Sequence, residues 1–191
     1  MQILIRVLIR VLHPGFALLF SSLVWAASSS PAAAAKVSIK TQPPCAGPTG
    51  ACLSFAATDT IPIIRGINFA APGAGAAVVT FHGSLYCAGF SSTSGSSQIA
   101  RFDFVSQIVD KQSTAPDPTK AGGLRHAASM RTLLDGTLFD WSTTFNIAST
   151  RLFAVNGAGT QKYYFKIARL LQDPTITCHV YNATFTVLFT P

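Results

Sequence analysis

Short segments in which apolar and polar residues alternate recur along most of this chain, and they constrain its fold more than any other feature. Apolar side chains at every second position let one face of a β-strand pack on a core, and the aromatic and β-branched residues here favour strands. The segments with this pattern are 37–41, 61–70, 78–87, 99–109, 137–147, 151–155, 160–171 and 176–189.

The connectors between these segments are rich in proline, glycine and serine, residues that end ladders and supply turn conformations. About eight or nine short strands joined by such turns predict an all-β protein, an antiparallel β-sandwich of jelly-roll-like architecture. One segment, 124–134, is ambiguous. Its apolar spacing fits a short helix and a strand equally well.

Residues 1–35 have the organisation of a cleaved secretory signal peptide. Arg6 and Arg10 form a basic start, an apolar core runs over 16–27, and Ala33-Ala34-Ala35 offers a small-residue cleavage site. A cut after Ala26 is the alternative site. The uninterrupted apolar stretch covers about a dozen residues, whereas a membrane-spanning helix needs roughly 20. We therefore expect a secreted, periplasmic or cell-surface protein.

Cleavage after Ala35 would leave residues 36–191, which we expect to form a single β-sandwich domain without a transmembrane segment. The whole chain carries 14 Lys+Arg against seven acidic residues, for a formal charge of +7. Removal of Arg6 and Arg10 leaves 12 basic groups and a net charge of +5. Charged residues make up only 11% of the chain, which argues against a helical bundle and against a disordered chain.

All four cysteines follow the predicted signal peptide. Export would therefore bring them to an oxidising compartment, where disulfides persist. Four cysteines allow three pairings. The strand alternation places Cys87 and Cys178 on core-facing sides of their strands, and a short Gly/Pro-rich segment separates Cys45 from Cys52. This favours the pairing Cys45–Cys52 with Cys87–Cys178, while the other two pairings stay open.

Catalytic and cofactor motifs are weak in this sequence. It contains no G-x-S-x-G nucleophile motif, and a glycosidase would have to use aspartates alone because the chain has no glutamate. The glycines of 157–159 precede a strand, which is not the context of a dinucleotide loop. We expect a protein that is not an enzyme and needs no cofactor, with a small hydrolase as a further alternative.

Metal binding has two weak candidate ligands, His82 and His179. They would approach each other only if the strand of 178–179 lay beside that of 82–87, and convergent imidazoles are what zinc and copper sites use. No H-x-H or HExxH spacing accompanies them. We therefore predict no metal site, with a metal-binding protein retained as a further alternative.

A basic strand face is the other candidate site. Lys162, Tyr164 and Lys166 alternate along one side of a predicted strand, where they could meet an anionic ligand. The alternative is an ordinary solvated face. The chain lacks the basic runs typical of nucleic-acid arms, so we expect no nucleic-acid partner.

Two partial resemblances accompany these patterns. The run from Arg151 through Gly159 to Phe165 resembles a strand pair of complement-type and tumour-necrosis-factor-like jelly rolls, which implies a trimeric recognition head. Segments 79–83 and 183–189 resemble the early and final strands of chaperone-assembled pilus subunits, which implies assembly by strand exchange. The Gly-to-Tyr spacing differs from the first pattern and the cysteine positions differ from the second, so we assign no family.

Taken together, these observations favour an exported, non-catalytic recognition module at a surface or in the periplasm. Its expected partners are a glycan, an anionic surface or a protein, and a homo-oligomer is compatible with the sequence. The main alternative is a pilus-like structural subunit that assembles by strand exchange, suggested by the low-charge, alternating strand at the C-terminus.

Overall fold

The computed structural model describes residues 37–45, 51–91, 99–131 and 139–191, and within them every regular element is a strand. The predicted signal peptide lies outside the described residues. The nine strands are β1 Ser38–Gln42, β2 Ala51–Ala56, β3 Arg65–Ala71, β4 Ala74–Ser91, β5 Ile99–Val109, β6 Leu124–Arg131, β7 Phe139–Asn156, β8 Gly159–Gln172 and β9 Ile176–Thr190. This part of the chain contains no helix of the length and apolarity that crossing a membrane requires.

The strands form two antiparallel sheets that pack face to face. In sheet A, β1 and β2 both pair with one edge of β9, and β4 and then β7 follow on its other side. Sheet B has the order β3-β8-β5-β6. The predicted antiparallel, jelly-roll-like sandwich of about nine strands is confirmed.

Several strand assignments differ from the sequence prediction, and β3 begins at Arg65 although the predicted segment begins at residue 61. Residues 124–131 are strand β6, so the helical alternative for 124–134 is wrong there, and 132–134 lie outside the described residues. Residues 139–147 and 151–155 belong to one 18-residue strand, β7, and 137–138 lie outside the described residues. The short strand β2 was not predicted, because its sequence Ala-Cys-Leu-Ser-Phe-Ala lacks a clear alternation and follows a proline-rich stretch.

Aromatic side chains from both sheets build the core. Phe81 of β4 stacks on Phe165 of β8 with ring centroids 3.5 Å apart and planes within 2°, and both are fully buried. Phe185 of β9 meets Phe81 edge-on at 6.1 Å. Near the other end, Phe55 of β2 contacts Phe104 of β5 edge-on at 5.6 Å. Such interdigitated rings account for much of the apolar burial that stabilises a two-sheet core.

A β-bulge divides β9 into two halves of opposite alternation. Across the step from His82 to Ser84, the partner on β9 changes from Thr184 to Tyr181, which leaves one extra residue on β9. Asn182 at this point has φ 53°, a left-handed conformation that asparagine tolerates better than most residues. The bulge lets even-numbered residues face the core before it and odd-numbered ones after it.

Both disulfides follow the pairing that the sequence favoured. Cys87 and Cys178 lie directly opposite each other on β4 and β9, fully buried, with Cα atoms 4.1 Å apart. Cys45 and Cys52 close a short loop between β1 and β2, with Cα atoms 5.2 Å apart. Two disulfides agree with an oxidising environment for the folded chain.

The loop between β5 and β6 covers part of the outer side of sheet B. Gln107 is only 2% exposed although it points away from the core, and it binds this loop at two places. Its Nε2 donates to the carbonyl of Ala121 at 2.9 Å, and its Oε1 accepts from the amide of Asp117 at 3.1 Å. The outer side of β5 is therefore buried over Val105, Gln107 and Val109.

Strand β1 is attached to sheet A mainly through its backbone. It pairs with residues 185–189 of β9, yet none of its five side chains is buried. Ser38, Lys40 and Gln42 share register with core-facing residues of β9. Ile39 and Thr41 point outward, and Ile39 is 68% exposed. Apolar burial therefore contributes little to the docking of β1.

Candidate functional site

The predicted anionic-ligand residues lie on the outer side of β8, in sheet B. Lys162 is exposed, and Tyr164 is half-buried over Gly66, its register partner on β3. The side chain of Lys166 is held in place because its Nζ donates hydrogen bonds to the carbonyls of Gln112 and Thr114 at 2.8 and 2.6 Å. The ammonium group of Lys166 therefore holds the β5–β6 loop, and Lys162 keeps the exposed position on this face.

Several neighbouring charged side chains of sheet B bind partners within the protein. Arg125 of β6 forms a bidentate ion pair with Asp103 of β5, in which its Nε donates to Oδ1 at 2.9 Å and its Nη2 to Oδ2. The hydrogen bonds from Arg125 lower the pKa of Asp103 below its usual value. Arg169 points to the opposite side of β8 from Lys166 and donates to the carbonyl of Ala56 at 2.6 Å.

A shallow groove of about 260 Å³ lies beside this ion pair. Its walls include Arg101, Asp103, Ser129 and Leu171. This volume is below the 300–1,000 Å³ typical of small-molecule sites. The carboxylate of Asp103 in the groove is already paired with Arg125. We therefore do not place the functional site here.

The two weak metal-ligand candidates share a face of sheet A but are not brought together. The strands β4 and β9 are neighbours, as the hypothesis required, but His82 lies opposite Thr184 and His179 opposite Tyr86. The two histidines are therefore about four residues apart along the sheet, or about 13 Å. The described residues contain no group of three His, Cys, Asp or Glu side chains that could hold a metal ion.

The third histidine, His126, forms a serine–histidine pair that the sequence did not reveal. Its Nε2 lies 2.8 Å from Ser106 Oγ, and its ring contacts Phe145 edge-on at 5.8 Å. Ser106 is fully buried and His126 is 6% exposed. A substrate cannot reach the Ser106 hydroxyl in this conformation, so the pair acts as a buried structural hydrogen bond.

Burial lowers the pKa of His126 below its usual value, because the charged imidazolium is disfavoured away from water. The unfolded chain therefore takes up the proton first, and this residue's contribution to stability is lost as the pH falls through about 6.5. We expect the free energy of unfolding, measured with urea, to be lower at pH 5.5 than at pH 7.5. We also expect His126→Gln to flatten this dependence. An equal flattening by the exposed His82→Gln would contradict it.

The outer side of sheet A differs from that of sheet B in its chemistry. We call it the neutral face and define it by even positions 76–88, 142–154 and 184–188, odd positions 177–181, and Ile39, Thr41, Ser54 and Ala56. Among these described positions there is no Lys, Arg, Asp or Glu. Threonine, serine and alanine dominate them. Sheet A does carry charged residues at other positions, namely Lys40 of β1 and Asp140 and Arg151 of β7.

Three aromatic rings meet on the neutral face, and we call them the ring cluster. Tyr86 lies 6.0 Å from His179 with an angle of 29° between the planes, and His179 lies 5.9 Å from Tyr181 at 37°. Tyr86 and Tyr181 are 6.4 Å apart. All three residues are half-buried.

Hydrogen-bonding groups surround the ring cluster on both sides. Ser54 Oγ and His179 Nδ1 are hydrogen-bonded at 2.7 Å, which orients the imidazole and leaves Nε2 on the far side of the ring. Beside Tyr86, the hydroxyl of Ser84 donates to Asn146 Oδ1 at 3.2 Å. The site thus combines aromatic surface with hydroxyl, amide and imidazole groups and carries no fixed charge.

Sequence reasoning missed the ring cluster, although it placed one of the three residues correctly. The alternation in 78–87 already put Tyr86 on the outward side of its strand. The partners His179 and Tyr181 lie more than 90 positions away, and the bulge at Asn182 interrupts the alternation of β9. Only the register of β4 with β9 shows that these rings are neighbours.

Comparisons with known proteins leave the family open. A scan against protein-family models finds no match, and a search of curated proteins finds none either. One similar solved structure is the crystal structure of the T13 IBDV viral particle, with 12% identity and a TM-score of 0.25. The likeness covers 81% of this chain and 31% of that chain. At this TM-score it supports no statement about function.

Proposed function

We propose that this chain is an exported, non-catalytic recognition module that binds its partner through the neutral face. The observation that carries the proposal is the absence of Lys, Arg, Asp and Glu from the described part of that face, in a chain with 14 basic and seven acidic residues. The signal-like segment 1–35 and the two disulfides support export.

Three features favour binding over catalysis. The neutral face is one side of a sheet, and its strands are held rigidly by the core and by the buried disulfide Cys87–Cys178. Rigid elements present side chains with little entropic loss on binding. The buried Ser106 and His126 are out of reach of a substrate. A preformed, uncharged sheet surface suits an uncharged partner that extends over several strands.

The test is a glycan and lipid binding array probed with labelled protein purified from expression of the full chain. We expect Thr144→Lys/Ala148→Lys, which places two charges on exposed positions of β7, to reduce binding at least tenfold. The matched variant Ala127→Lys/Ser129→Lys adds the same charge to exposed positions of β6 in sheet B. We expect this control to bind as the unmodified chain does.

A different outcome would assign recognition to another surface of the protein. Binding that survives the two lysines on β7 and is lost in Lys162→Ala would assign recognition to the basic face of sheet B. Lys162 is the better probe of that face because Lys166 also holds the β5–β6 loop.

A structural subunit is the second candidate, and β1 is the observation that favours it. This strand completes the edge of β9 without burying any of its side chains, so its exchange between copies would cost little apolar contact. Light scattering measures the molar mass of the purified protein used for the binding array, and this mass separates the two roles. Open strand exchange gives a mass that rises with concentration, whereas a recognition module gives one fixed mass.

A further inference from the structure

We propose that the ring cluster of Tyr86, His179 and Tyr181 is a binding site for sugar rings of an uncharged polysaccharide. This inference rests on the proposed function and names the ligand class and the position on the neutral face. It is carried by the ring geometry, by the polar groups next to the rings and by the absence of charge around them.

The rings offer the apolar part of such a site. Tyr86 and His179 are stacked with planes 29° apart, Tyr181 flanks His179 at 5.9 Å, and the planes of the two tyrosines are 64° apart. A sugar ring has C–H bonds on its faces, and the electron-rich face of an aromatic ring attracts them as it attracts other positive edges. The three residues are half-buried, so a sugar ring would pack against the part of the cluster that remains exposed.

The groups beside the rings match the rim of a sugar, which consists of hydroxyls. Ser54 and His179 supply a hydrogen-bonded pair on one side, and Ser84 and Asn146 supply another on the side of β7. The phenol hydroxyls and Thr144, the register partner of Tyr86, add further donors and acceptors. Hydroxyl and amide groups both donate and accept, as recognition of neighbouring sugar hydroxyls requires.

The same surroundings disfavour the other ligands that stack on aromatic rings. Single-stranded nucleic acid combines stacking with a groove of Lys and Arg side chains, and the described neutral face has none. An acidic polysaccharide or an anionic membrane would also need those cations. An apolar peptide would need a continuous apolar surface, whereas Ser54, Ser84, Thr144 and Asn146 surround the cluster.

Cross-strand aromatic contacts also stabilise sheets, so a purely structural role must be separated from binding. The chain offers a matched residue for this purpose. Tyr164 is a half-buried tyrosine on the outer side of sheet B, next to strand β3. Its replacement removes a similar amount of aromatic surface from the opposite side of the sandwich.

The experiment measures binding of soluble starch, hydroxyethylcellulose and galactomannan by affinity electrophoresis, with the acidic polymer alginate for comparison. We expect the unmodified full chain to be retarded by at least one neutral polymer and not by alginate. Tyr86→Ala and Tyr181→Ala should each weaken that binding at least tenfold. Tyr86→Phe should stay within about threefold, and Tyr164→Ala should bind normally. Urea unfolding of each variant shows whether the fold is kept.

Two results would overturn the inference. One is no retardation by any of the three neutral polymers. The other is unchanged binding in folded Tyr86→Ala and Tyr181→Ala. If Thr144→Lys/Ala148→Lys still blocks binding on the array in either case, the neutral face stands and only the ring cluster is rejected. If those lysines have no effect either, the proposed function fails with it.

Discussion

Replacing both Cys87 and Cys178 with alanine is expected to lower the free energy of unfolding by about 4–5 kcal/mol. The bond connects residues 91 positions apart, and closing so long a loop removes much conformational entropy from the unfolded chain in the loop-closure description. It also joins β4 to β9, the two central strands of sheet A. Equilibrium unfolding in guanidinium chloride under non-reducing conditions measures the loss.

The second disulfide is the matched control. Cys45 and Cys52 are only seven positions apart, so removal of their bond by the double alanine variant should cost about 2–3 kcal/mol on the same basis. Both variants remove two sulfurs, but they differ in loop length. A larger loss from Cys45→Ala/Cys52→Ala than from Cys87→Ala/Cys178→Ala would contradict the assignment of the long bond as the main covalent constraint.

Phe81→Ala is expected to destabilise the protein by about 3–5 kcal/mol, the range for large-to-small changes of a buried aromatic residue. Phe81 is fully buried, stacks on Phe165 across the two sheets and touches Phe185 within its own sheet. Its removal would open a cavity where sheet A meets sheet B. The midpoint and slope of urea unfolding at neutral pH give the change.

A matched apolar residue on the surface separates core packing from a general loss of apolar area. Leu152 of β7 is 66% exposed on the neutral face, so Leu152→Ala should change the free energy of unfolding by less than about 0.5 kcal/mol. Phe81→Leu should cost less than Phe81→Ala because it leaves a smaller cavity. Similar losses in Phe81→Ala and Leu152→Ala would show that the two sheets do not pack through these rings.

The strand pattern could be predicted because alternation is a local property. Segments such as 78–87 and 99–109 carry their core-facing residues at every second position, and the structure places them in β4 and β5. The disulfide pairing followed from the same pattern, since Cys87 shares a side with Leu85. Strand β2 was missed because it is short and is held by pairing with β9 rather than by its own alternation.

The candidate site was predicted less well, for a physical reason. Lys162, Tyr164 and Lys166 do lie along one strand, but the side chain of Lys166 is used by a loop more than 50 positions away in the chain. The alternation of β8 carries no information about that loop. In the same way, Ser54 and His179 are 125 positions apart and meet only because β2 pairs with β9.

The sequence by itself determined the class of the fold, the disulfide pairing it favoured and the expectation of export. These depend on periodicity, on cysteine placement and on a local signal at the N-terminus, all of which can be seen without knowing which strands are neighbours. Only the tertiary structure decided which strands pair and in which register. Many registers would bury the same apolar residues, and packing between the two sheets selects one of them. That choice brings Tyr86, His179 and Tyr181 together on a face without fixed charge. It also places Lys166 where its side chain holds the β5–β6 loop.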